Sequence, residues 1–585
     1  MSRTETGGRH LDAELAERRI AGYTPKRLVV LIVIYVAAAL FVAWFSWLVV
    51  RLADASNHLE SAHKRVAVLQ EHLVSGDAAA AEADVRAIQT DVARSRSATN
   101  GLVVRSAATI PYLGRTAHAA RSLSDVAAGL ANGPLPRLVT ADLALSPNRL
   151  RTSSNTIDIV GLQGALTPLS KAVAELDAYT RRLQAVSDGS LVLDPIENAR
   201  TSLISNIAQV QATTVVAHRV ARIAPAMLGA NGARRYFVAN VNFNETRATG
   251  GVLGGYQILE ANRGQLRLVG AGPASALPQA EAWRDANLRA EFSEAASIWA
   301  SLWQRTHNNQ RIDGVLSLDP SALSETLEAA GPVRVEGAVL NSKNVIPALT
   351  RHYASAKSAK LRDELLSRVS ARILNHVLTG AGQSHNLATR LGKASGDGHL
   401  RLWSSRPQEQ AALTEVPIGG AFSPTPSPYV GLIVNNLGGT KLDTFLERSV
   451  TYFADGCSGQ QRNTTITVRL SSLVSQEVAP FLNARTDNPA KGTPVGQGRY
   501  EVAIYTTFGT RLRSATLDGA TARVREVFGE GRPLFVALTT LDRGGSRVLT
   551  LQLTEPTAPG APVIQGQPLL LPQQSTVNAP VCGPR

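Results

Sequence analysis

The sequence predicts a multidomain chain: a single transmembrane helix, an α-helical stalk or bundle, an α/β head with a mixed sheet, and a C-terminal β-sandwich. Three observations predict it. An apolar run is uninterrupted over 28–50; apolar residues recur at three-four spacing through 51–225; and strand-like runs follow 226, first alternating with helices, then strictly alternating beyond 446. At 585 residues the chain is too long for one core. The boundaries read as 1–27 tail, 28–50 membrane helix, 51–225 stalk, 226–445 α/β head and 446–585 sandwich.

Leu28 to Val50 holds about two dozen residues with only Ser46 polar, enough to cross a ~30 Å hydrocarbon layer. Trp44 and Trp47 stand toward its far end, where interfacial aromatics belong. A cleaved signal peptide, the alternative, has a shorter apolar region followed by a small-residue cleavage site. Arg18, Arg19, Lys26 and Arg27 precede the span and only Arg51 follows it. That asymmetry orients a single-pass protein with its amino terminus in the cytoplasm and the bulk of the chain extracytoplasmic, in the cell envelope.

Beyond the span, Leu52, Ala55, Leu59, Ala62, Val66, Leu69 and Leu73 form an apolar stripe that needs a partner helix. Ser75-Gly76-Asp77 reads as a turn, and Ala81, Val85, Ile88 and Val92 supply a stripe that packs back antiparallel. Further stripes occur at Leu162 to Leu176 and at Leu203, Ile207 and Val210, after a cap at Asp194-Pro195. An intramolecular bundle suits such Ala-rich, interrupted stripes; a dimerising coiled coil is the alternative. Asn132 to Thr156, with Pro134, Pro136 and Pro147, reads as a loop.

In the head, Tyr236 to Val241 reads as a strand, and Gln257 to Leu268 as two strands joined at Asn262-Arg263-Gly264. Between them lies a polar, glycine-rich corner carrying Asn244, Glu245 and Arg247. Gly250-Gly251 and Gly254-Gly255 permit a sharp turn or close approach to a ligand, and Arg247 offers a planar fork for phosphate or carboxylate. A tight turn with a surface arginine is the plainer reading. Asp313 to Leu318 reads as a strand, Asp319-Pro320 as a helix cap, Gly331 as that helix's end, and Val333 to Val335, His399 to Trp403 and Tyr429 to Val434 as strands. Beyond 446, Thr464 to Leu470 and Leu549 to Leu553 alternate, with turns at Asp518-Gly519 and Gly544-Gly545. Cys457 and Cys582 bracket this region. In an oxidising exterior they tie its first strand to its last residues, two free thiols being the alternative.

Lys and Arg number 60 against 46 Asp and Glu, a formal charge of +14, but the positive residues are dispersed and few aromatics interleave them. That excludes a nucleic-acid reader and favours acidic envelope polymers or anionic lipid as partners. No phosphate-binding P-loop, HExxH, GxSxG or metal-spaced Cys/His cluster occurs. Asp285, Asp313, Asp319, Asp363 and Glu364 are the acidic residues from which a hard-cation site would be drawn; solvated surface carboxylates are the plainer account, and Asp319 is already a cap.

The segments NFNETRATGGVLGGYQIL, DANLRAEF, IDGVLSLDPSALSETLEAAGPVRVEG and VGLIVNNLGGTKLDTFLERSVTY resemble a set in actinobacterial membrane-anchored envelope proteins catalogued as a domain of unknown function, over roughly 225 to 585. More distantly, IDGVLSLDPSALSETLEAAGPVRV resembles a segment of LytR-CpsA-Psr proteins, which move glycans from a polyprenyl diphosphate carrier onto the wall with arginines on the pyrophosphate and an Asp on Mg2+. The resemblance implies a LytR-CpsA-Psr-like head. It sets Arg247 at their Arg-Ser-Asp arginine, and Arg351, Arg362 and Arg368 in their Arg-rich stretch. Thr249 stands where that pattern has its Asp, and Pro273-Ala274-Ser275 where it has Pro-Arg-Asp.

Two functions from different classes follow. In one, the head binds an anionic envelope glycan or polyprenyl-diphosphate-linked precursor without catalysis. In the other, the protein is a glycan (phospho)transferase in which Arg247 and Arg351 neutralise pyrophosphate and Asp285 or Asp313 replaces the missing Mg2+ ligand.

Overall fold

The computed structural model describes residues 25–75, 77–110, 113–145, 152, 156–185, 194–349, 359–379, 387–422, 425–474, 480–483 and 494–583. Of these, 25–32, 74–75, 113, 194–196, 359–363 and 480–481 are described by backbone alone. The chain divides into two units, Met1–Thr140 with Pro168–Thr214, and Ala141–Thr167 with Val215–Arg585.

The first unit is helical. α1 (Pro25–Ser75) is 51 residues long, and its first half is long and apolar enough to cross a membrane. Two shorter helices follow, α2 (Ala78–Thr99) and α3 (Leu102–Ala107); Val33 to Val36 and Leu40 to Val42 of α1 are exposed, whereas Leu48 is buried with Val104 and Ala107 of α3. Trp44 donates its indole N–H to Ser106 at 3.0 Å, so this aromatic faces protein. Ala55, Ala62 and Leu69 are buried on α1 and Ala81, Val85, Ile88 and Val92 on α2. Val66, counted in the stripe, is 37% exposed, because the covered seam recurs every seven residues and Val66 lies off it. Asp77 caps α2, accepting from Ala80 N–H at 3.0 Å. His72–Asp84 at 2.6 Å and Ser61 and Arg65 on Asp91 at 2.8 and 2.9 Å set the antiparallel register. α4 (Leu113–Asn132) adds Leu123 and Val126 to a cluster with Leu176, Leu183 and Ile207.

Asn132 to Thr156, expected as a loop, contains α5 (Pro134–Leu145). Its prolines fall in the first turn, where the missing N–H has no helical partner to lose. Pro147 lies outside the described residues.

In the second unit, β1 (Arg234–Arg247), β2 (Gly250–Asn262), β3 (Gln265–Pro273), β4 (Gly314–Leu318) and, further on, β7 (Leu400–Ser404) form a mixed sheet ordered β3-β2-β1-β4-β7, with β1 and β4 parallel. A short hairpin of β5 (Val333–Val335) and β6 (Ala338–Leu340) lies apart. Alternation along β1 serves two cores. Phe237, Ala239 and Val241 pack with Trp283, Trp299 and Trp303, while Val238 packs with Leu323, Leu327, Leu366 and Ile373 on the other face. Asp319 caps the helix Pro320–Ala330, accepting from Ser321 and Ala322 N–H groups at 2.8 and 3.0 Å, and Gly331 ends it, as the sequence implied.

The glycine-rich corner is not a turn. Asn244, Glu245 and Arg247 lie in β1, the turn is Ala248-Thr249, and the Gly pairs lie in β2. Irregular register in β1 between Asn240 and Thr246 accommodates them. Their smallness serves packing. A Cβ on Gly254 would stand 2.7 Å from Leu366, one on Gly255 2.9 Å from Ser367, and one on Gly251 2.1 Å from the Asn242 carbonyl. Leu366 and Ser367 belong to the helix Ala359–Leu378, which comes close to the sheet here.

Two further sheets follow. One is ordered β13-β12-β16-β10-β9-β18 and the other β14-β15-β11-β8-β17. Their strands are β8 (Tyr429–Asn436), β9 (Leu446–Ala454), β10 (Gln461–Ser472), β11 (Gly498–Thr506), β12 (Arg511–Leu517), β13 (Ala520–Thr521), β14 (Arg525–Gly529), β15 (Arg532–Leu541), β16 (Ser546–Pro556), β17 (Val563–Gln565) and β18 (Gln574–Asn578). Val434, Val450, Ile466, Ile504, Phe535 and Leu551 from both sheets share one core. β8, grouped with the head by sequence position, pairs instead with β11 and β17. Its run YVGLIV reads the same in any buried sheet, and periodicity does not name a partner. Cys457 and Cys582 form a disulfide, with Cα atoms 5.5 Å apart.

Candidate functional site

The end of β1 is a buried junction. Asn244, Glu245, Thr246 and Arg247 are all under 7% exposed. Arg247 donates through Nη2 to Glu245 Oε1 at 2.8 Å and through Nη1 to the carbonyls of Asn436 and Thr246 at 2.7 and 3.1 Å; Asp285 stands 3.8 Å away. Arg284 donates to both Glu245 oxygens at 3.0 and 3.1 Å, and Lys441 donates to Oε2. One carboxylate thus gathers three cations. The Arg247 fork, expected to await an anion, is committed to Glu245 and to the carbonyls of Asn436 and Thr246. Asn244 donates its backbone N–H to Asn242 Oδ1 at 3.0 Å, and its own Oδ1 is buried without a hydrogen bond.

Next to this cluster Asp443 accepts from Thr246 N–H at 2.6 Å, Tyr500 O–H at 2.7 Å and Asn436 Nδ2 at 2.9 Å. Burial opposes ionisation of both carboxylates, with different outcomes. Around Glu245 it is outweighed by Lys441, Arg247 and Arg284, which hold the carboxyl down at about 2. Around Asp443, which has no cation in direct contact, burial wins over the donors and pushes it up to about 6. Opposite pH dependences follow. The Glu245 contribution is fully present above its unfolded value near 4.5 and is lost as pH falls through about 2. Asp443 binds a proton more readily folded than unfolded, so its contribution is fully present below about 3.8 and declines as pH rises through about 6. Denaturation midpoints are expected to peak between about pH 4 and 5. A Glu245→Gln variant flattens the acid limb and Asp443→Asn the other; limbs unchanged in both variants would rule this assignment out.

The remaining expected residues scatter. Arg368 is an exposed side chain paired with Glu336 at 2.8 Å and Glu364 at 3.8 Å. Arg351 lies outside the described residues, and so does the side chain of Arg362. Asp285 is beside Arg247 at one end of β1, whereas Asp313 accepts from Arg235 N–H at 2.9 Å at the other. Eleven strand residues lie between Arg235 and Arg247, a span on the order of 35 to 40 Å. The two carboxylates therefore do not share an Mg2+ ion, and among the described residues no three His, Cys, Asp or Glu side chains converge as metal ligands.

What the sequence did not reveal is at the Asp313 end. A pocket of about 490 Å³ is lined by Arg234, Arg235, Arg311 and Arg406, with Glu260, Asp313, Ala233, Ser405 and Pro407. The backbone brings them together. Asp313 exchanges two backbone contacts with its neighbours, N–H to Arg235 O at 2.7 Å and carbonyl to Ser405 N–H at 2.9 Å. Arg234, 4% exposed, gives Nη2 to Glu409 at 3.0 Å, while Nη1 stands 3.6 Å from Asp313 without a hydrogen bond. Arg235 is 3.6 Å from Glu260 and Arg406 3.7 Å from Asp313. Arg311 is exposed and makes no ion pair among the described residues. The sequence signal is local: Arg234 and Arg235 open β1, Arg406 immediately precedes the helix Pro407–Thr414, and Arg311 lies three residues before β4, on three separate stretches of chain.

Residues 231–353 match a family described as a protein of unknown function (DUF4012). The match takes in strands β1 to β6, and with them Glu245, Arg247 and Arg284 of the junction and three arginines of the pocket. No curated protein and no solved structure matches the chain.

Proposed function

We propose that this is a membrane-anchored, extracytoplasmic cell-envelope protein whose α/β head binds an anionic ligand, a glycan or a polyprenyl-diphosphate-linked precursor, without transferring it. In this reading the head is LytR-CpsA-Psr-like and the two later sheets form a β-sandwich scaffold. The observation that supports it is the arginine pocket, with guanidinium donors left without hydrogen bonds. Full-length protein in detergent, titrated with a short-chain polyprenyl diphosphate, is expected to bind, with Arg406→Ala weakening affinity about tenfold through loss of one charge-assisted contact. No binding at millimolar ligand would remove the reading. The alternative, a glycan (phospho)transferase, draws on Asp313 lining the same pocket; release of polyprenyl phosphate from a glycan-loaded carrier would establish it instead.

The membrane reading rests on α1 and the basic residues before it. Protease added to spheroplasts should remove the bulk of the chain. Survival until the membrane is opened would reverse the orientation.

A further inference from the structure

We infer that α3 and the start of α4 rest in the membrane face from which α1 emerges, with Leu102 in the acyl boundary and Arg105 and Arg115 on anionic phospholipid headgroups. This rests on the membrane-spanning reading of α1 and adds a second contact to it.

Depth along α1 carries the argument. Leu28 to Val50 rises about 33 Å at ~1.5 Å per residue, slightly more than a ~30 Å hydrocarbon core. Trp44 and Leu48 therefore lie about 9 and 3 Å short of its outer end. A segment packed on these residues shares their depth. Val104, Ala107 and Ala117 close over Leu48, with Trp44 and Leu52 at the margin of the same cluster, and Ser106 accepts the Trp44 indole N–H at 3.0 Å. Helices that lie in a membrane surface sit about 5 to 10 Å deep, which is the level this packing sets.

The segment is made for that position. Leu102 is 83% exposed, and the span itself ends in Trp47, Val49 and Val50, which are exposed as well. The polar groups are turned inward, as a poorly hydrated boundary requires. Arg105, Ala108, Thr109 and Ile110 donate their backbone N–H groups to carbonyls of the same segment at 3.0 to 3.2 Å. The Ser106 and Thr109 hydroxyls donate to the Val103 and Ser106 carbonyls at 2.8 and 2.7 Å.

The charges here are of one sign. Between Asp91 and Asp125 the chain carries five arginines and no Asp or Glu. Arg96 is held by Asp125 and Arg121 by Asn100 Oδ1, whereas Arg105 and Arg115 are exposed and make no ion pair among the described residues. An arginine stem reaches from the acyl boundary to the headgroup layer, so these two guanidiniums meet negative lipid while Leu102 meets the chains.

The test places full-length protein in vesicles of phosphatidylcholine, with and without phosphatidylglycerol. Cys457 and Cys582 are joined, so a maleimide dye applied without reductant reports only an introduced cysteine. Lipid brominated near the middle of its acyl chains is expected to quench a dye at Leu40→Cys, on the exposed face of the span, and lipid brominated near the headgroup end a dye at Leu102→Cys. A dye at Lys64→Cys, about 21 Å beyond the span, is expected to lose no fluorescence to either. Phosphatidylglycerol should increase the loss at position 102, and Arg105→Gln/Arg115→Gln should abolish that increase. Quenching at 40 with none at 102 overturns this inference and leaves the span standing. No quenching at 40 removes the span and this inference with it. A loss at 102 indifferent to phosphatidylglycerol and to the arginine variant overturns the headgroup assignment.

Discussion

Replacing Glu245 with alanine is expected to destabilise the α/β unit by about 3 to 5 kcal/mol, the range for breaking one side of a buried ion cluster. Glu245 is 1% exposed and is the shared acceptor for Arg247, Arg284 and Lys441. Without it three cations face one another across a site that water barely reaches, and Lys441, whose ammonium burial already pushes down, loses the group that keeps it charged. Glu245→Gln keeps an acceptor and removes the charge, so it should fall between wild type and alanine. Tryptophan fluorescence during urea unfolding is a direct readout, because Trp283, Trp299 and Trp303 pack on this sheet. A loss below about 1 kcal/mol would mean that the cluster is effectively solvated, as surface pairs are.

Removing the disulfide should be comparable in size. Cys457 and Cys582 are 125 residues apart, and a cross-link closing a loop of that length restricts the unfolded chain by up to about 5 kcal/mol in the chain-entropy account. The topology explains why they meet. β18 runs parallel to β9, Gln574 beside Ser449 through Asn578 beside Phe453, so the residues following each strand emerge at the same end of the sheet. Cys582 is also 5% exposed and its backbone pairs with Gly560. A Cys457→Ser/Cys582→Ser double variant should unfold at markedly lower denaturant, and wild type with reductant should match it. Coincident curves with and without reductant would show that the bond adds nothing to stability.

Local chemistry was legible in the sequence. Asp319 capping a helix, Gly331 ending it, the Arg263-Gly264 and Asp518-Gly519 turns with positive φ, and the long apolar stretch in α1 each depend on neighbours within a few residues. Partnerships across long separations were not. Lys441 lies 196 residues after Glu245, and Arg406 reaches Asp313 only because β7 ends beside the start of β4. The glycine corner misled because a glycine that admits a ligand and one that admits a helix have the same spacing. Only Leu366 and Ser367 against Gly254 and Gly255 distinguish them. Arg247, expected to offer its fork to a phosphate or carboxylate, has that fork turned toward Glu245 and the Asn436 carbonyl.

The segment holding β17 and β18 has a bearing on biosynthesis. A ribosome delivers β8 and β9 long before the strands that complete their sheets, and both completions are parallel additions that no tight hairpin makes. Between them Gln567 donates to the carbonyls of Arg247 and Val434 and accepts from Val434 N–H at 3.0 Å, a residue 133 positions earlier. A nascent or clipped chain ending before 563 therefore carries a bare selvedge on each sheet and lacks the glutamine that bridges Arg247 and Val434. Bare edges recruit strands from other molecules. Truncation is thus expected to be met first as self-association, and a holding chaperone on the nascent protein would have two adjacent hems to cover until translation passes that glutamine.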